Sequence, residues 1–222
     1  MRHLKMIGIT AMAAMAFAAI AGAGAASATV LCKSAPANNV CPAAEVYGSG
    51  TAIKAQLVAG TSAVLTTEGG LFTPTVKCTA STTEGKTETA GGSGKSVEGT
   101  LLAKTGLTFS GCTASTGSAC TATAVHLPYH AAVAWTSEWN GTLTVTSGGT
   151  GSPGASVACE GLPTCEFTTK SAVLNVHGGN PAIAKAEKIA LEIAGGFGCP
   201  TTAHWTAEYE VTSPKPLFIE KE

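Results

Sequence analysis

Trp205, Ala207, Tyr209 and Val211 alternate with Thr206, Glu208 and Glu210, the period of two expected of a half-buried strand. Shorter versions recur along the chain. Ile53, Ala55 and Leu57 alternate with Lys54 and Gln56, and Ala63–Thr66, Thr75–Cys78, Leu107–Ser110, Leu143–Thr146 and Ala172–Val176 have the same mixture. Gly, Ser, Thr, Asn and Pro punctuate them at short spacing. Frequent threonine and frequent turn residues predict an all-β chain, an antiparallel sandwich or barrel-like domain.

Three segments need separate treatment. Residues 82–96 are polar and glycine-rich and predict a long mobile hairpin loop. Asn180-Pro181 and Gly195-Gly196 are helix-like start and stop signals, yet Ile189, Leu191 and Ile193 alternate strictly with Ala190 and Glu192. The alternation predicts a strand over 187–193. Around Asn140-Gly141 a hairpin is expected. A two-residue Asn-Gly loop would place Trp135 and Val145 on opposite faces, which a one-sided core forbids. A three- or five-residue loop instead sets Trp135 opposite Val145 and Ser137 opposite Leu143, with Trp135 buried. Trp139 then rides at the tip as a possible contact for a glycan or partner, unless it folds back to cover the sheet edge.

The start of the chain adds a compartment. Arg2, His3 and Lys5 precede an apolar, alanine-rich run over residues 6–24, and Ala26-Ser27-Ala28 is a small-x-small cleavage pattern. This order predicts a signal peptide over 1–28. Leu31 before Cys32 argues against a lipid anchor, and no later stretch is long and apolar enough to span a membrane. Residues 29–222 then form a single disulfide-tied β domain, secreted or held in the cell envelope.

All eight cysteines, Cys32, Cys41, Cys78, Cys112, Cys120, Cys159, Cys165 and Cys199, follow the expected cleavage site. An even number in an exported chain predicts disulfides, and the absence of Cys-x-x-Cys argues against a zinc site. Hairpin-like order suggests Cys32–Cys41, Cys78–Cys112, Cys120–Cys159 and Cys165–Cys199, since each bridge needs Cα atoms within about 7 Å.

Aspartate is absent, and Arg2 is the only arginine. After cleavage, 11 lysines face 14 glutamates, a net charge of −3. Sparse, weakly acidic charge excludes a nucleic-acid partner, which calls for clustered Lys and Arg.

The phrases Ala28-Thr29-Val30-Leu31-Cys32-Lys33, Leu107-Thr108-Phe109-Ser110-Gly111-Cys112-Thr113, Cys199-Pro200-Thr201-Thr202-Ala203-His204-Trp205-Thr206 and Tyr209-Glu210-Val211-Thr212-Ser213-Pro214 resemble phrases in a group of small secreted bacterial proteins with a signal peptide and a Cys-containing β domain. The resemblance implies export and a C-terminal strand. It implies no activity and no site residues.

No catalytic, cofactor or metal motif is complete. Gly94-Lys95-Ser96 imitates the end of a phosphate loop, but Thr89 stands where that motif needs glycine. His126 and His130 have a metal-like spacing interrupted by Pro128. Glu208 and Glu210 share a strand face at about 7 Å and, with His204, are the candidates for a secreted hydrolase. The favoured expectation is a non-enzymatic protein with a binding or structural role toward an unknown extracellular or envelope partner, and no cofactor.

Overall fold

The computed structural model describes residues 28–70 and 73–222. Apart from Ala28, the expected signal peptide lies outside the described residues.

Strand β1 (Thr29–Cys32) comes first and stands apart from the main sheet. The main sheet is a meander whose members follow chain order. β2 (Ala52–Leu57) and β3 (Ala63–Glu68) run end to end along one edge of β4 (Thr75–Thr87). β5 (Val97–Leu101) and β6 (Thr108–Ala114) run end to end along its other edge. β7 (Ala119–Val125) and β8 (Tyr129–Ser137) lie beside β6 and β5. β9 (Asn140–Ser147) and β10 (Gly154–Cys159) follow, then β11 (Cys165–Thr168) and β12 (Ser171–His177). β13 (Ile183–Gly195) pairs with both of these, and β14 (Thr202–Ser213) pairs with β13 on one side and with β2 and β3 on the other. The ladder therefore closes. The molecule is an eight-stave antiparallel up-and-down barrel in which five staves are broken midway.

Closure removes sheet edges, and the side-chain alternation then separates inside from outside. Val76, Val145, Leu174, Leu191 and Tyr209 are buried inside, while Lys54, Lys77, Lys86 and Glu192 lie on the outer face. Apolar-in, polar-out is the reverse of a transmembrane barrel, and among the described residues no helix is long and apolar enough to cross a membrane. Two unbroken staves change their inward parity at bulges. In β13 the register slips between Ala186 and Ile189, with Lys188 at φ 51°. The predicted strand over 187–193 thus belongs to a longer one beginning at Ile183. In β4 the inward set passes from Cys78 to Ser81, opposite Gly111 at φ 61°. A Cβ at Gly111 would lie 2.2 Å from Thr79 Oγ1, so this crossing requires glycine.

One barrel end is tied by three disulfides. Cys78–Cys112 and Cys120–Cys159 join paired strands, and Cys165–Cys199 ties β11 to the β13–β14 connection. The opposite end is covered by a two-stranded ribbon, β1 paired with β15 (Phe218–Lys221). Leu31, Leu217 and Ile219 of this ribbon join the barrel core. Val30 and Phe218 pack in a separate small cluster with the Cys32–Cys41 bridge. The ribbon is held by Thr29 N donating to Lys95 O (3.0 Å), Gly92 N to Thr29 O (2.9 Å) and Trp135 N to Thr29 Oγ1 (2.9 Å). All four disulfides have the connectivity expected from sequence order, and such bridges fit an oxidising, extracellular-type environment.

Two expectations are corrected. The polar segment expected as a loop over 82–96 is strand up to Thr87, because β4 must run on to pair with β2 and β5. The remaining 88–96 connection is tied to β1 by the bonds just given. The β8–β9 hairpin turns at Glu138-Trp139, with Ser137 opposite Asn140 and Trp135 opposite Gly141. Gly141 sits in the strand because a Cβ there would meet Ala134 O at 2.5 Å and the ribbon residue Ile219 at 3.2 Å. Trp139 carries the positive φ (55°) of the turn. Val133 and Leu143 face each other, so the two strands still bury the same side. Trp135 is half-buried.

Candidate functional site

The barrel interior is incompletely filled. A cavity of about 260 Å³ runs along it, from Leu31 and Ile219 beneath the ribbon to Val76 and Val157 toward the disulfide-tied end. Its origin is legible in two close backbone approaches. A Cβ at Gly99 would come within 2.7 Å of Lys86 O, and one at Gly85 within 2.9 Å of Thr100 O. Glycine is therefore forced at two inward positions of β4 and β5. Gly99 faces Ala131, which in turn faces Val145. Ala55 and Ala172 add two more short inward side chains. The twist brings main chains together and leaves the space between side chains empty.

Polar groups at the lining, and Ser81 just behind it, are mostly bonded to protein. Ser81 Oγ donates to Thr108 O (2.6 Å) and shares a hydrogen bond with Tyr209 Oη (2.7 Å). Thr83 Oγ1 donates to Gly106 O (2.6 Å), and Thr87 Oγ1 to Gly48 O (2.8 Å). Tyr129 Oη bonds Val125 O and accepts from Gly154 N (3.2 Å). Burial pushes the Tyr209 hydroxyl up to about 12, against the opposing bond from Ser81. Burial likewise raises Tyr129. Trp205 lines the cavity with its ring, while its Nε1 is buried in the wall without a hydrogen-bond partner.

Where three broken staves meet, at 126–128, 148–153 and 169–170, the cavity wall is a glycine-rich loop rather than a ladder. Pro153 is buried there and lines the cavity. The loop is held by Thr169 N donating to Pro153 O (2.8 Å) and by a hydrogen bond between His126 Nδ1 and Ser152 O (3.0 Å).

The residues singled out from sequence lie elsewhere. Trp139 is half-buried with its ring edge-on to Phe218 (5.5 Å) and His177 (6.4 Å), folded back over the ribbon rather than standing free. Among the described residues the aromatic that stands in solvent is Phe197, 99 % exposed in the Gly-rich β13–β14 connection. His126 and His130 face different glutamates, Glu166 at 3.8 Å and Glu98 at 2.9 Å. Among the described residues no group of three His, Cys or Glu side chains is arranged to hold a metal. His204, Glu208 and Glu210 are strung along the outer face of β14. His204 is 3.7 Å from Glu68, and Glu210 accepts from Gln56 Nε2 at 2.9 Å. His204 and Glu208 are about 13 Å apart by strand rise and form no cleft. In Gly94-Lys95-Ser96, Ser96 bonds Glu98, whose charge repels phosphate.

The cavity itself was not singled out from the sequence. The signal that could have found it is the set of small inward residues at Gly85, Gly99 and Ala131, but reading it requires the register. Comparison with protein-family models, curated proteins and solved structures finds no match, and the functional reading rests on this chain's own geometry.

Proposed function

We propose that this is an exported, non-enzymatic binding protein, secreted or held in the cell envelope, that carries a small apolar molecule inside its barrel. The observation that carries the reading is the 260 Å³ interior cavity. Left empty, such a volume costs about 6 kcal/mol at roughly 24 cal/mol per Å³, comparable with the whole net stability of an ordinary domain. A ligand that fills it removes that penalty. Export and residence outside the cytoplasm are supported by the four disulfides and by the charged head, apolar run and Ala26-Ser27-Ala28 of the chain start.

Titration calorimetry of the mature chain with ten-carbon hydrocarbons tests the proposal. Saturable one-to-one binding is expected. Burial of about ten methylene equivalents at about 0.8 kcal/mol each sets a limit near micromolar affinity. Absence of binding to every apolar ligand of this size would leave the cavity a structural void and overturn the proposal.

A further inference from the structure

We infer that the ligand is a headless hydrocarbon, a neutral molecule of about ten carbons with no polar end group. The inference rests on the proposed lumen site and goes on to the chemistry of what fills it. The size follows by scaling from a dry cavity of about 150 Å³ that holds benzene. The chemistry follows from two independent features of the barrel.

The first is the state of the inward polar groups. Ser81, Thr83, Thr87, Tyr129 and Tyr209 each hold a protein partner. A hydroxyl or carboxylate brought by the ligand would have to break one of these bonds or stay unpaired. Burying an unpaired polar group is unfavourable, and burying an unpaired charge far more so. Of the other lining side chains, Thr100 bonds Glu88, Thr169 bonds Ser171 O, His177 bonds Asn140 Oδ1, Glu98 pairs with His130 and Lys86 is exposed on the outer face, while the unpartnered Trp205 Nε1 is enclosed in the wall.

The second is the closure of the ends. In an open-mouthed barrel an amphiphile buries its chain and leaves its head in water. Here the ribbon inserts Leu31, Leu217 and Ile219 across one mouth. At the other end the disulfide-tied strands and connections meet over Phe167, which is 1 % exposed. A chain seated between them meets apolar side chains rather than a polar mouth at either end.

The test is a matched ten-carbon series against the mature, fully oxidised chain: decane, limonene, decan-1-ol, decan-2-one and decanoate at pH 8, each by calorimetry. Decane or limonene is expected to bind. Decanol is expected to bind at least about 5-fold more weakly, from the penalty for an unpaired hydroxyl, and decanoate at least about 100-fold more weakly. Decanol or decanoate binding as tightly as decane overturns the inference, since the head must then find water or a partner. Decanone binding more tightly than decane, with the gain lost in Trp205→Phe, also overturns it and assigns the indole as a donor to the ligand. In both cases the lumen remains a binding site, whereas failure of the entire series removes the site itself.

Discussion

Ala131→Leu places a larger side chain directly in the space over Gly99, its cross-strand neighbour. The substitution adds about three methylene equivalents, about 0.8 kcal/mol each on removal from water. Ordering a leucine side chain opposes this by about 0.5–1 kcal/mol. The net expectation is a gain of about 1.5–2 kcal/mol, or roughly 3–8 °C in melting temperature for a chain of this size. If β8 and β5 met in a filled core, the same change would overpack it and cost about 1–3 kcal/mol. The sign of the change therefore separates a cavity from a core. Calorimetric melting of the oxidised chain, with and without decane, reads both consequences. The variant should melt higher than the parent in buffer, and decane should raise its melting temperature by less than it raises the parent's. A lower melting temperature in Ala131→Leu would refute the cavity argument at its most specific point.

Three further outcomes are expected. The Tyr209 hydroxyl, raised from its ordinary value of 10 to about 12, stays protonated in the folded chain while its unfolded counterpart ionises. Its contribution is fully present below pH 10 and is lost between about pH 10 and pH 12, roughly 3 kcal/mol in all, and Tyr209→Phe should reduce the alkaline slope in denaturant melts by that amount, leaving the part due to Tyr129. Replacing Cys165 and Cys199 together by serine opens a 34-residue separation and should cost about 4 kcal/mol, against about 3 kcal/mol for Cys32 and Cys41 with their separation of 9, readable as an ordering of urea midpoints. Burial, and then the neighbouring Glu138, raise the Glu220 carboxyl above its ordinary range, with the Trp139 indole opposing them. Stability from this group is present at acid pH and lost as pH rises, so Glu220→Gln should raise the melting temperature at pH 7 and change it little at pH 4.

Strands such as β2, β3, β9, β12 and β14 were legible because each shows its own alternation, and the disulfides because bridging followed strand order. By contrast, β5, β7, β10, β11 and β15 carry too short or too mixed a pattern to be read. Leu143–Thr146 and Ala172–Val176 could be placed from local pattern alone. What local pattern lacks is continuity. The run Ser147-Gly148-Gly149-Thr150-Gly151-Ser152-Pro153-Gly154 has the glycine-rich pattern of a loop, and nothing local shows that β10 resumes the line of β9 beyond it. The hairpin at Glu138-Trp139 was misplaced because Asn140-Gly141 is a strong turn pair. Gly141 answers instead to the ribbon packed against it, a contact nearly 80 residues distant in sequence. The cavity depends on the same long-range geometry, since the smallness of Ala131 matters only once Gly99 is known to face it.

Isotope-filtered NMR on methyl-labelled mature chain with unlabelled decane puts the central claim to its most direct test. The account predicts contacts from decane to the inward methyls of Ala131, Val145 and Leu174 and none to Val173, which points outward from the same strand as Leu174 and is 51 % exposed. Contacts confined to Val173 and other outer-face methyls, or no contacts at saturating decane, would contradict it.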